Sequence, residues 1–121
     1  MSRTILVVED QEDNRRIMRD LLENSGYEIV EAVNGLDGVR AAESRPPDLI
    51  LMDVQLPGID GYEATRRIKA NPDLKDIPII IVTSYALSGD DKKAFEAGCD
   101  AYVSKPFSPR SLLAKVREFL P

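Results

Sequence analysis

Leu49-Ile50-Leu51-Met52-Asp53 is an apolar run of strand length that ends in a carboxylate, and Val54-Gln55-Leu56-Pro57-Gly58 follows it at once. Proline and glycine stop a strand there and force a loop. A near-continuous apolar run is how a parallel strand buried on both faces reads. In open α/β sheets the chemistry sits outside the carboxyl ends of the strands. Asp53 therefore stands where a reactive side chain would stand, provided the rest of the chain supplies a parallel sheet and partners.

Upstream, Ile5-Leu6-Val7-Val8 reads as a first strand ending in two acids, Glu9-Asp10. A helix follows, with Asp10 or Asp13 as its cap and Glu12 in its first turn. Ile17, Leu21 and Leu22 supply its buried stripe, and Gly26 its stop. Tyr27 to Val30 is a second strand. Asn34-Gly35 opens a second helix marked by Leu36, Val39 and Ala42, and Arg45-Pro46-Pro47 ends it.

Downstream, Asp60-Gly61-Tyr62-Glu63 resembles a capping box opening a third helix that runs to about Ala70, before Asn71-Pro72. Pro78-Ile79-Ile80-Ile81-Val82 is again apolar throughout and ends at Thr83-Ser84. A fourth helix is expected from about Gly89-Asp90-Asp91 to Gly98. Ala101-Tyr102-Val103 is a short fifth strand running into Ser104-Lys105-Pro106. Ser108 caps the last helix with Pro109 at its first position, and Leu112, Leu113, Val116, Phe119 and Leu120 form its buried stripe. Five strands alternating with five helices imply one α/β domain over residues 1–121, a doubly wound parallel sheet with right-handed crossovers. No linker or separate output segment stands out.

Composition narrows the function. The chain has 121 residues, 43% hydrophobic and 31% charged, with a formal net charge of -5. An acidic surface repels nucleic acid and anionic membrane, so neither is expected as a partner. The only cysteine, Cys99, excludes an internal disulfide and suits a reducing cytoplasm; it reads as a small buried hydrophobe. With no histidine and no cysteine cluster, zinc sites, Ser-His-Asp triads and Cys-His pairs are excluded. A GxxxxGK[ST] phosphate loop is absent too.

Parallel topology gathers the strand ends Glu9-Asp10, Asp53, Thr83-Ser84 and Lys105 on one rim. Carboxylates packed together raise one another's pKa, and a hard divalent cation offsets the repulsion. Oxygen-only ligands point to Mg²⁺. An Asp carboxylate can attack phosphorus, Lys105 can stabilise the charge developing on phosphoryl oxygens, and the Thr83 hydroxyl can donate to one of them. Taken singly, each has a plainer reading: Asp10 as a cap, Asp53 as a turn residue, Thr83 as structural, Tyr102 as packing. Arg15, Arg16 and Arg19 read as a solvated face, as do Arg66-Arg67.

The ordered set Glu9-Asp10, Asp53, Leu56-Pro57-Gly58, Thr83, Tyr102 and Lys105-Pro106 resembles the response-regulator receiver domain of two-component signalling, over essentially the whole chain. Tyr62-Glu63, Gly98-Cys99 and Ala101 to Pro106 are most similar to stand-alone receivers of the DivK type. The resemblance implies a flavodoxin-like (βα)5 fold with strand order 2-1-3-4-5. It implies Asp53 as phosphoacceptor, and Asp10, Asp53 and the Gln55 backbone carbonyl as Mg²⁺ ligands, with Glu9 reaching the metal mostly through water. It further implies Lys105 as the phosphate-facing lysine, preceding a cis proline, and Thr83 with Tyr102 as a switch pair. Ser84, where the family most often has Ala, and Gln55 would tune the lifetime of the phosphorylated form.

Function follows as an expectation. A histidine kinase or histidine phosphotransfer protein would supply the phosphoryl group, because this chain has no histidine. Phosphorylation would switch the surface of the fourth helix, fifth strand and fifth helix, which binds a downstream protein; a phosphorelay shuttle is the runner-up. Such a chain is a signalling module, not an enzyme. A haloacid-dehalogenase-type phosphatase needs a second acid where Gln55 stands. A flavodoxin-like cofactor binder would meet repulsion from Glu9-Asp10-Gln11-Glu12-Asp13. A degenerate receiver acting as scaffold would lack one of the key residues present here.

Overall fold

Ten elements alternate along the chain in a computed structural model that describes residues 3–83 and 90–121. They are β1 (Thr4–Val8), α1 (Glu12–Asn24), β2 (Glu28–Ala32), α2 (Gly35–Ser44), β3 (Leu49–Asp53), α3 (Gly61–Ala70), β4 (Ile79–Thr83), α4 (Asp90–Ala97), β5 (Ala101–Ser104) and α5 (Pro109–Phe119). The expectations for Ser84 and for a helix start at Gly89 lie outside the described residues. The strands form one sheet in the order β2-β1-β3-β4-β5, and every neighbouring pair is parallel. No helix among the described residues is long and apolar enough to cross a membrane.

Burial explains why the central strands are apolar throughout. All five residues of β3 and of β4 are buried. Alternate side chains of a strand point to opposite faces, so the sheet divides into two cores. Leu6, Val8, Ile50, Met52, Ile79 and Ile81 pack with Val39 and Ala42 of α2, Ala64 and Ile68 of α3, and Ala94 of α4. Ile5, Val7, Leu49, Leu51, Ile80 and Val82 pack with Met18 and Leu22 of α1, Leu112 and Val116 of α5, and Leu120 just beyond it. Burying each large aliphatic side chain contributes about 1.5–3 kcal/mol.

The helix ends show how the crossovers are turned. Asn34, Asp60 and Ser108 cap α2, α3 and α5, each accepting from the backbone N–H three residues on. At Asp60 this is the forward half of a capping box; the Glu63 carboxylate bonds Arg66 and Arg67. Helix α1 closes on Gly26 at φ 97°. There the Gly26 and Tyr27 N–H groups return to the carbonyls of Glu23 and Leu22, the paired closure that a left-handed glycine permits.

Four expectations shift. The α1 cap is Gln11, not Asp10 or Asp13; Asp10 instead faces the rim. Ile17 is half exposed, at 50%, because Met18 and Leu22, four residues apart, set the line of α1 that meets the sheet. Leu36 is 40% exposed, since α2 approaches through Gly35, Gly38, Val39 and Ala42. Strand β2 starts at Glu28 and runs on to Ala32, at the sheet edge, with Glu28 and Glu31 exposed.

One close approach fixes β3 against α3. The Gly61 N–H donates to the Val54 carbonyl at 2.9 Å. A Cβ at Gly61 would collide with the backbone carbonyl of Asp53 and lie 2.9 Å from the Val54 Cα. Backbone cannot yield as a side-chain tip can. Gly61→Ala is therefore expected to lower stability by about 1–3 kcal/mol, the usual cost of overpacking, read as a shift of the urea unfolding midpoint. An unchanged midpoint would mean that this contact does not constrain β3.

Candidate functional site

Strand alternation decides which side chains meet at the carboxyl rim. Ile5, Val7 and then Glu9 share one parity; Leu49, Leu51 and Asp53 share it; Ala101, Val103 and Lys105 share it too. All extend the core beneath α1 and α5. Glu9, Asp53 and Lys105 converge accordingly. The Lys105 Nζ donates to Glu9 Oε1 at 2.7 Å and lies 3.3 Å from Asp53 Oδ1. Glu9 is fully buried, at 0% exposure, and Asp53 is 6% exposed.

Backbone groups hold both acids. The Gln11 N–H donates to Glu9 Oε2 at 3.1 Å. The Val54 N–H donates to Asp53 Oδ1 at 2.8 Å. Asp10 is half-buried, and carboxylate oxygens of Glu9, Asp10 and Asp53 lie within 4.8 Å of one another. Three carboxylates that close, with one ammonium between two of them, form a pocket of surplus negative charge. An all-oxygen donor set of this kind fits a hard cation such as Mg²⁺ and not a soft metal.

Thr83 and Tyr102 have the other parity. Thr83 ends β4 and is fully buried, in line with Ile79 and Ile81. Tyr102 pairs in register with Ile81 and packs half-buried against the core under α2, α3 and α4. The two side chains therefore share a face, one step apart along the β4–β5 ladder. The Tyr102 ring meets Phe95 of α4 edge to face, centroids 6.5 Å apart. The Lys105 N–H donates to the Thr83 carbonyl at 2.7 Å, so the end of β4 and the lysine are coupled through backbone. The Lys105–Pro106 peptide is cis, as expected. Gln55 is exposed on the loop beyond Asp53.

Two residues escape the sequence reading. Gly61 packs against the Asp53 backbone, and nothing local announces that approach. Arg15 is no solvated arginine: its side chain is 17% exposed, and its Nη1 donates to the carbonyls of Glu9 and Asp10 at 3.1 and 3.3 Å. Arg19 joins it in pairing with Glu31 of β2. Arg16, 59% exposed, keeps the expected solvated character. Cys99 is buried, and burial followed by the charge of Asp100 pushes its thiol up to about 11, which leaves it an inert hydrophobe.

Comparison with known proteins agrees with this geometry. Residues 5–117 match the family described as the response regulator receiver domain. The polar-differentiation response regulator DivK of Brucella anthropi is 42% identical over 120 residues, covering 99% of this chain and 98% of that protein. A crystal structure of a response regulator from Chloroflexus aurantiacus superimposes with a TM-score of 0.95 at 32% identity, covering 99% and 98% of the two chains. The receiver domain of a sensor histidine kinase from Pseudomonas aeruginosa, with a magnesium ion coordinated in its active site cleft, gives 0.93 at 37% identity, again over 99% and 98%.

The buried ion pair has a titration consequence. Burial pulls the Lys105 ammonium down, but the Glu9 hydrogen bond and the charges of Asp53 and Glu9 outweigh it, so the net shift is upward from 10.5. A raised lysine contributes stability that is complete below the unfolded value of 10.5 and is lost as pH rises through the folded value above it. Lys105→Met is expected to destabilise the protein by about 3 kcal/mol at pH 7, because Glu9 is left buried without its cation. The gap between wild type and variant should narrow above pH 10.5. Denaturant midpoints at pH 7 and pH 11 check both; a gap that does not narrow would sink the assignment.

Proposed function

The chain belongs to the response regulator receiver family, and on that premise we propose that it is a stand-alone cytoplasmic regulator in which Asp53 accepts a phosphoryl group from the phosphohistidine of a partner kinase or phosphotransfer protein. The observation that carries this reading is the Asp53 carboxylate at the head of β3, 3.3 Å from the Lys105 ammonium and grouped with two further carboxylates. A carboxylate oxygen of Asp53 attacks phosphorus, the P–N bond to the partner's imidazole breaks, and its electron pair leaves with the imidazole. The product is an acyl phosphate on Asp53. The chain carries no histidine of its own, so the donor is another protein.

The remaining roles divide by what each residue already does. Asp10 and Asp53 would hold Mg²⁺ directly, with the backbone carbonyl of Gln55. Glu9 would act through water, since its two oxygens are engaged by Lys105 and the Gln11 N–H. Bound there, Mg²⁺ would offset the carboxylate repulsion and would draw charge from the phosphoryl oxygens. Lys105 exchanges its contact with Asp53 for one with the phosphoryl group, so its charge follows the negative charge being transferred. The chain accepts one group and later loses it to water, which makes it a signalling module and not a turnover enzyme.

The readout runs through Thr83 and Tyr102. A phosphoryl group adds roughly one negative charge and three acceptor oxygens beyond the carboxylate. The Thr83 hydroxyl turns toward them, and the Tyr102 ring follows into the space vacated on the same face of the sheet. Its contact with Phe95, 52% exposed on α4, carries the change to the surface formed by α4, β5 and α5, where a downstream protein binds. Gln55, beside the path of an incoming water, sets the lifetime of the acyl phosphate. The half-exposed Ile17, with Pro106 and Phe107, lines a cleft of about 520 Å³ that reaches Lys105 and gives a partner protein an apolar approach to the rim.

Intact mass after incubation with acetyl phosphate and Mg²⁺ tests the acceptor. One phosphoryl adduct that needs Mg²⁺ and vanishes in Asp53→Asn is expected; an adduct that survives in Asp53→Asn rejects the assignment. Gln55→Asn is expected to change the hydrolysis rate of the adduct several-fold while leaving its stoichiometry at one, followed by the decay of adduct mass after donor removal. An unchanged rate would remove Gln55 from the tuning role.

A further inference from the structure

The peptide that carries the acid pair is fastened from behind by a residue that the phosphoryl chemistry does not use. The Glu9 N–H donates to the Ala32 carbonyl at 3.1 Å. From the other side, Arg15 Nη1 donates to the carbonyl oxygens of Glu9 and Asp10 at 3.1 and 3.3 Å. Arg15 Nε donates to Glu31 Oε1 at 3.3 Å, and Arg19 Nη1 takes the other Glu31 oxygen, Oε2, at 3.3 Å. Glu31 lies on β2 in register with Val7 of β1. Both sides of the acid pair thus hang on the end of one edge strand.

We infer that Arg15 is a positioning residue for the metal-ligating carboxylates, holding the Glu9–Asp10 backbone in the ligating geometry while Glu31 orients its guanidinium. The inference rests on the Mg²⁺ site of the proposed function. Two effects of Arg15 oppose each other. Its positive charge beside the acid cluster weakens cation binding; its grip on two carbonyls spares Asp10 the ordering that binding would otherwise demand. The charge is partly offset by Glu31 at 3.3 Å, a carboxylate shared with Arg19, which leaves the cluster facing an ion-pair network and not a lone cation. The positional effect is therefore the larger. Partners that orient metal ligands from outside the coordination shell typically change affinity about 10–100-fold. A planar guanidinium can serve Glu31 and two carbonyls together; an ammonium on a flexible stem cannot hold that fork.

Calorimetric titration of the full chain with MgCl₂ at neutral pH tests this, alongside melting of each variant without Mg²⁺. Arg15→Ala is expected to weaken Mg²⁺ binding about 10-fold. Arg15→Lys, which keeps the charge and loses the fork, is expected to recover only part of that loss. Arg19→Ala, which also removes a Glu31 partner but touches neither carbonyl, is expected to bind as wild type does. Affinity in Arg15→Ala equal to or tighter than wild type overturns the inference, as does full recovery in Arg15→Lys or an equal loss in Arg19→Ala. Should Arg15→Ala fail to fold, Glu31→Gln leaves the guanidinium and weakens its anchor; a several-fold loss is expected and unchanged affinity overturns. Mg²⁺ uptake by wild type with no effect of these variants defeats the positioning role alone. Absence of uptake by wild type defeats the functional reading and this inference together.

Discussion

A carboxylate with no exposed surface needs a cation beside it. Glu9 is such a carboxylate, and the Lys105 ammonium 2.7 Å away is its cation. Removing an ion from water costs several kcal/mol even after relaxation, so this pair is tolerable only where the geometry is good and further hydrogen bonds complete it. The Gln11 N–H supplies one to Glu9, and Asp53 shares the ammonium. The partners stand 96 residues apart in sequence and just past the ends of strands that are not neighbours, β1 and β5, with β3 and β4 between them. The two meet only if the sheet is complete and in register. A shift of one residue in any of the three ladders between them would turn one partner to the opposite face.

The same alternation separates two tasks. Glu9, Asp53 and Lys105 extend the core side of α1 and α5, and there the charge is handled. Thr83 and Tyr102 belong to the side of α2, α3 and α4, and there a change of packing can reach the surface. The two sets are joined where the Lys105 N–H meets the Thr83 carbonyl. The proposed chemistry on one face and the proposed readout on the other can share a rim without competing for the same space, because a strand end offers both directions within two residues.

Much of this is legible in the amino-acid sequence. The apolar runs at β1, β3 and β4 are long enough and plain enough to give the parallel sheet, and alternation with helices gives the crossovers. The rim acids and Lys105 follow as strand-end residues, and the all-oxygen donor set follows from residue type. Other features depend on tertiary contact. Ile17 and Met18 are adjacent and both apolar, so the pattern alone does not say which one meets the sheet. Asp10 reads both as a rim acid and as a cap, because capping is what an acid before a helix usually does; only the fold shows that the cap falls to Gln11. Arg15 binds backbone carbonyls, which every residue possesses and no pattern marks. Gly61 is required by a neighbouring backbone, and a glycine at a helix start looks the same whether or not one is there.

The attachment of the acid pair to β2 has a dynamic side. An edge strand has one ladder to break where a central strand has two, and the ends of a sheet open at lower free energy than its middle. Ala32 and Glu31 hold the Glu9–Asp10 peptide from that edge. Transient fraying of β2 therefore also loosens the acids at the rim, while Asp53 on the central β3 stays fixed. Asp53 thus follows a strand flanked on both sides, while the acid pair draws part of its support from an edge. Whatever gathers the acids thus also quiets the edge.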